Sequence, residues 1–187
     1  MLATLDLAVN EAFAPLRQSF LLVFFAWFTE IGTGITALAV GAAVSAVLWS
    51  SGRSGWVTPL WLTFLGAEAT TWALKFATAR VRPPNLEGIE ALSPSFPSAH
   101  ATVALALYGY VALVVAAGAL RHRAAVFGCA GSVIFLIGFS RIFLSLHYLT
   151  DVLAGYAVAA VWLWIGWRWA TRAHPASARH PTLPRAH

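Results

Sequence analysis

Ala124–Phe143 reads AAVFGCAGSVIFLIGFSRIF and is followed at once by Leu144–Asp151, LSLHYLTD. The first part is long enough to cross a bilayer as a helix, which takes about 20 mostly apolar residues. It ends on Ser140-Arg141, and the next few residues supply His147 and Asp151. An apolar run closed by ionisable groups predicts a membrane helix with a polar site at one end. Charges at such a rim are costly and need a partner or a task.

The same pattern recurs outward from this stretch. Thr33–Ser50, Trp56–Ala79, Ser98–Leu120 and Thr150–Ala170 are further apolar runs, with Pro59 in a first turn where proline is tolerated. Hydrophobic residues make up 59% of the 187 and charged residues 10%, too little polar surface to face water. Mean hydropathy is +0.73. The fold class expected is therefore all-α, a polytopic membrane helix bundle with five clear transmembrane helices. Residues 1–31 are expected to form an interfacial helical segment, because Phe20–Phe28 (FLLVFFAWF) is bounded by Arg17 and Glu30 and too short to cross. A shallow sixth span is the alternative. Residues 1–170 then make a single membrane-embedded domain. The Pro-, Arg- and His-rich tail 171–187 is expected to be disordered and cytoplasmic.

Net charge is +5, and Lys75 is the single lysine among 12 basic residues. The arginines sit at the ends of apolar runs, so topology explains them better than nucleic-acid binding. Arg53, Arg121, Arg123, Arg168 and Arg172 fall on one side without acids. Asp6, Glu11, Glu30, Glu87 and Glu90 fall on the other. The first side is expected to be cytoplasmic, as in a bacterial plasma membrane, and the second to face out. The one cysteine, Cys129, excludes an intramolecular disulfide and reads as a small packing residue. Gly41, Ser45, Gly128, Gly131 and Gly155 are expected at close helix contacts. Trp49, Trp56, Trp167 and Trp169 are expected in an interfacial belt.

Three polar clusters converge on the outer side, because alternating spans return the chain to one face. These are Lys75 with Arg80, Arg82 and Pro83; Pro97-Ser98-Ala99-His100; and Ser140-Arg141, His147 and Asp151. Lys75, Arg82 and Arg141 give three positive charges suited to a phosphoryl group. Ser98 opens a helix, where free N–H groups favour an anion. Asp151 lies one helical turn from His147 and can fix its tautomer, leaving the other ring nitrogen as nucleophile. His100 is available as general acid. No carboxylate cluster suggests a metal site, and no cofactor is implied. Arg80 has no role in this pattern and is expected to snorkel or to add outer-face charge. Glu68, mid-span, reads as structural.

Lys75, six residues, Arg82-Pro83; Pro97-Ser98-x-His100; Ser140-Arg141, five residues, His147, three residues, Asp151: this order and spacing resembles the three-part signature of the type 2 phosphatidic-acid phosphatase superfamily. The resemblance implies catalytic roles for His147 (phosphohistidine nucleophile), Asp151 (orientation) and His100 (leaving-group protonation). It implies phosphate binding by Lys75, Arg82, Ser98, Ala99 and Arg141. Ala99 stands where the family usually has glycine, and five spans are visible where bacterial members commonly show six. The implied activity is metal-independent hydrolysis of a lipid phosphate or pyrophosphate, with undecaprenyl pyrophosphate, phosphatidylglycerol phosphate and phosphatidic acid as candidates. A lipid phosphotransferase is the alternative. A channel or transporter with a basic vestibule is a remote one that leaves His147 and Asp151 unexplained. The partners implied are the lipid substrate and membrane lipids, without nucleic acid; nothing indicates an oligomeric state.

Overall fold

The computed structural model of the chain describes residues 2–18, 20–84 and 93–173. Glu87, Glu90 and the tail from 174 onward lie outside the described residues. Among the described residues seven α-helices follow in order, with short 3-10 turns between some of them: α1 Leu2–Phe13, α2 Phe20–Phe28, α3 Gly34–Ser50, α4 Val57–Thr78, α5 Ala99–Gly118, α6 Arg123–Phe143 and α7 Leu149–Ala173. No strand occurs among the described residues.

Among the described residues three helices, α5, α6 and α7, are long and apolar enough to cross a membrane, where five runs were expected. The two others differ for physical reasons. Apolar α3 has 17 residues, at the short limit for a span. Helix α4 has the length, 22 residues, but carries Glu68, Lys75 and five threonines on its course. The N-terminal pair, Leu2–Arg17 and Phe20–Gly32, would make a fourth crossing if taken as one span, but it is bent by 117°. Helix α7 runs to Ala173, three residues into the stretch expected to be tail.

Helix α7 packs against α4 and α5, and small side chains set the spacing: Ala67, Ala106 and Ala159 meet with almost no exposure. At Gly155 a Cβ would stand 2.6 Å from the Ser98 carbonyl oxygen, so glycine is required for the approach of α7 to α5. Gly128 and Gly131, expected at similar contacts, have nothing within 4 Å of a built Cβ. Cys129, on the same helix, is likewise exposed rather than packed. Toward the end that carries Arg53, the core is Trp56, Leu60, Phe64, Leu107, Tyr110 and Val114. Trp56 is therefore a core residue and not part of a belt, whereas Trp49 and Trp169 are exposed. At the opposite end Phe25 packs against Phe139 and Phe143 and docks α2 on α6.

Large apolar side chains cover the outside, among them Phe20, Ile35, Phe76, Phe135, Val161 and Trp164. Such a surface is stable against lipid and not against water.

Candidate active site

The helices alternate in direction, so the end of α4, the start of α5, the end of α6 and the start of α7 share one end of the bundle. Each contributes a polar group there. Helix α4 delivers Lys75 in its last turn and closes on Ala79, whose φ of 47° lies in the left-handed region. That turn redirects the chain into an extended stretch carrying Arg80 and Arg82. His100 lies in the first turn of α5, Arg141 in the last turn of α6, and Asp151 in the first turn of α7. His147 occupies the connector between α6 and α7, where Ser145 also takes a positive φ of 56°.

A cavity of about 560 Å³ opens at this end, lined by Lys75, Arg82, Ala99, His100, Arg141 and His147. Another part of its wall is apolar, with Ile35 and Leu38 from α3 and Phe64, Leu65 and Trp72 from α4. Ile35, Leu38, Leu65 and Trp72 are all exposed on the outside of the bundle as well, so the apolar part communicates with the lipid-facing surface between α3 and α4. Of the residues expected at the site, Ser98 and Asp151 do not line the cavity. Ser98 is buried; its N–H donates to the Asp151 carbonyl oxygen at 3.0 Å, and its hydroxyl has no partner. The geometry makes Ser98 a tie between α5 and α7.

The imidazole of His147 is buried, with Nδ1 3.4 Å from Oδ2 of Asp151. Its Nε2 lies 3.1 Å from Nη1 of Arg82. Arginine can only donate, so Nε2 is the acceptor and the ring proton sits on Nδ1, facing the carboxylate. Burial, opposed by the Asp151 carboxylate and aided by the charges of Arg141, Arg82 and Lys75, pushes the His147 imidazole down to about 3. The ring is neutral at physiological pH. Its unprotonated nitrogen faces Arg82, and both residues line the cavity.

The three cations are held by neutral oxygens. Lys75 Nζ donates to the Pro94 carbonyl at 2.6 Å. Arg82 donates to the carbonyls of Ser93 and Leu146, at 2.9 and 2.6 Å. Arg141 donates to the Thr29 hydroxyl at 2.9 Å, and its Nε has no partner. None of the three has a carboxylate within salt-bridge distance among the described residues. Buried charges without counter-ions are costly, and an anion in the cavity would offset that cost. Glu68 is the one acid among the described lining residues; Trp72 Nε1 donates to its Oε2 at 3.2 Å, within the same helix, while Oε1 is buried without a partner. No group of three His, Cys, Asp or Glu side chains suited to a metal ion occurs among the described residues.

Sequence reasoning missed the groups that hold Asp151. Its Oδ1 accepts from Arg80 Nη1 at 2.6 Å, and its Oδ2 accepts from the Tyr148 N–H at 2.9 Å and from the Ser95 hydroxyl. Arg80 also donates to Asp6 of α1. It is not a snorkelling charge. A signal existed for Arg80: it lies two residues before Arg82, and a second arginine so close to the site is a candidate to serve it. For Ser95 and Asp6 no spacing rule applies.

Comparison with known proteins agrees with this arrangement. The chain is 29% identical over 161 residues to phosphatidylglycerophosphatase B of Bacillus subtilis, covering 81% of this chain and 79% of that one. Its fold is similar to the crystal structure of a transmembrane PAP2-type phosphatidylglycerolphosphate phosphatase from Bacillus subtilis, with a TM-score of 0.85 at 24% identity. That match covers 91% of this chain and 86% of the other. Aquifex aeolicus LpxE is also similar, with a TM-score of 0.63 at 23% identity, over 88% and 95% of the two chains. At those identities the two structures speak for the fold alone. The family model described as the PAP2 superfamily matches residues 56–175, a stretch that takes in the whole cavity-lining set from α4 onward, and the chain belongs to that superfamily.

Proposed function

We propose that the protein hydrolyses a lipid phosphate without a metal, through a phosphohistidine at His147, with the site on the outer side of the membrane. The observation that carries this reading is a neutral, buried imidazole in a cavity ringed by Lys75 and Arg141, both buried, and the half-buried Arg82, three cations without a carboxylate partner among the described residues. Such a ring suits the charge spread over the equatorial oxygens in phosphoryl transfer. Nε2 of His147 attacks phosphorus while the bond to the lipid oxygen breaks, and His100 gives that oxygen its proton. Asp151 stabilises the positive ring through Nδ1–H. Water then attacks phosphorus, the P–N bond breaks, and the water's proton passes to His100, which restores both histidines.

A lipid is favoured over a soluble ester by the apolar half of the cavity and its communication with the surface between α3 and α4. The B. subtilis relative's name makes phosphatidylglycerol phosphate the first substrate to try. In this reading α3 to α7 each cross the bilayer. The arginine-rich end is cytoplasmic by the positive-inside rule.

The test is release of inorganic phosphate from phosphatidylglycerol phosphate and phosphatidic acid in mixed micelles, with a strong chelator present. Trapped enzyme should carry acid-labile, base-stable phosphate. Activity lost in chelator and restored by Mg²⁺ would overturn the mechanism.

A further inference from the structure

We propose that Arg80, held by Asp6 of the N-terminal helix, is a positioning residue that fixes Asp151 against His147. The inference rests on the proposed phosphohistidine reading. Asp151 is fully buried and its carboxylate touches the nucleophile's ring through one oxygen only. The other oxygen, Oδ1, is taken by Arg80 Nη1 at 2.6 Å. A carboxylate is a two-fold rotor about its terminal torsion, and the partner on Oδ1 decides where Oδ2 points.

Arg80 is itself fixed from outside. Its Nη2 meets Asp6 Oδ2 at 2.8 Å, and its guanidinium lies over the Tyr148 ring, 4.4 Å from the centroid. Its Nη1 also donates to Thr150 Oγ1 at 2.8 Å. Asp6 closes the circuit by accepting from the Thr150 hydroxyl at 2.6 Å and the Thr150 N–H at 3.0 Å. Asp6 is 2% exposed, on a short helix that is otherwise mostly exposed. A buried carboxylate on such a helix needs its partners, and all of them belong to the start of α7 or to Arg80. Arg80 does not reach the cavity; it opens on a shallow outer depression with Ala3, Asp6, Leu7, Val81 and Tyr148. It therefore acts on the reaction only through Asp151. Helix α1, remote in sequence from the three motifs, completes the site.

The experiment measures kcat and KM on phosphatidylglycerol phosphate in mixed micelles, using monodisperse protein. Variants are Arg80→Gln, Arg80→Lys, Asp6→Asn and Asp151→Asn, with Arg80→Gln and Asp6→Asn also placed in the Asp151→Asn background. Arg80→Gln should lower kcat about tenfold and move KM less than about twofold, and Arg80→Lys should recover most of the loss. Asp6→Asn should lower kcat about threefold. In the Asp151→Asn background both changes should cost less than about twofold, because the group they act through is gone. Should Arg80→Gln fail to fold, Asp6→Asn in the two backgrounds gives the same decision. Equal losses in both backgrounds, with an active wild type, would overturn the inference and leave the phosphatase reading standing. An inactive wild type would overturn that reading first, and this one with it.

Discussion

Nη1 of Arg82 stands 3.1 Å from Nε2 of His147, so the lone pair that would attack phosphorus faces a guanidinium. An incoming phosphate offers that guanidinium a better acceptor and frees the nitrogen. Arg82→Ala should therefore lower kcat about 10²–10³-fold, the usual loss of one oxyanion donor, and raise KM. Steady-state kinetics decide it; a change in KM alone would assign Arg82 to binding only.

The two histidines should separate by leaving group. His147→Ala should abolish the phosphoenzyme on every substrate. His100→Ala should cost about 10²–10⁴-fold with a lipid alkoxide and much less in the phosphorylation step with an acidic aryl phosphate, which needs little proton assistance. Single-turnover phosphorylation separates this step from later hydrolysis. Equal losses on both substrates would remove His100 as the acid.

The low value of His147 has a sign. Its folded pKa, about 3, lies below the ordinary 6.5, so the unfolded chain takes up a proton first as pH falls. This group's contribution to stability is complete above about pH 6.5 and is lost progressively toward pH 3. Melting temperature in detergent should fall over that window, and less steeply for His147→Gln. The acid limb of activity should instead follow the substrate phosphate, whose second ionisation is near about pH 6. Substrates with different second pKa values should displace the limb in parallel.

Gly155 offers a packing test. A Cβ there would press on the Ser98 carbonyl at 2.6 Å, and backbone cannot yield as a side chain can. Gly155→Ala should cost roughly 1–3 kcal/mol of stability and lower activity, since Ser98 ties α5 to Asp151. Gly128→Ala, with open space around it, should do neither. Thermal unfolding in detergent checks both.

Orientation is open to labelling. With Cys129 replaced, a cysteine at His122 should resist an impermeant thiol reagent in intact cells, and one at Val81 should react. The reverse pattern would put the site on the cytoplasmic side.

Much of this was legible because membrane helices announce themselves by length and because Lys75, Arg82, His100, Arg141, His147 and Asp151 fall at their ends. A polar residue at the end of an apolar run has few places to go. For α4 the helix-count difference has the same origin: Glu68 and Lys75, which mark the site there, also lower that helix's apolar character. What could not be read were contacts made by single polar residues far apart in sequence. Asp6 and Thr150 are 144 positions apart, and nothing in either neighbourhood announces the other. Cys129 and Gly128 depart from the expected packing because small residues suit a helix contact and a lipid-facing surface equally well.

The mixed lining of the cavity has a kinetic consequence. A substrate that arrives sideways between α3 and α4 is sampled from a two-dimensional solution, so its mole fraction in the bilayer, and not its bulk concentration, sets the rate. The two products then part company: the dephosphorylated lipid diffuses back into the hydrocarbon, while phosphate leaves into water at the polar end. Dilution with inert lipid should slow turnover at constant bulk substrate, and inorganic phosphate should compete from the aqueous side whatever the lipid composition.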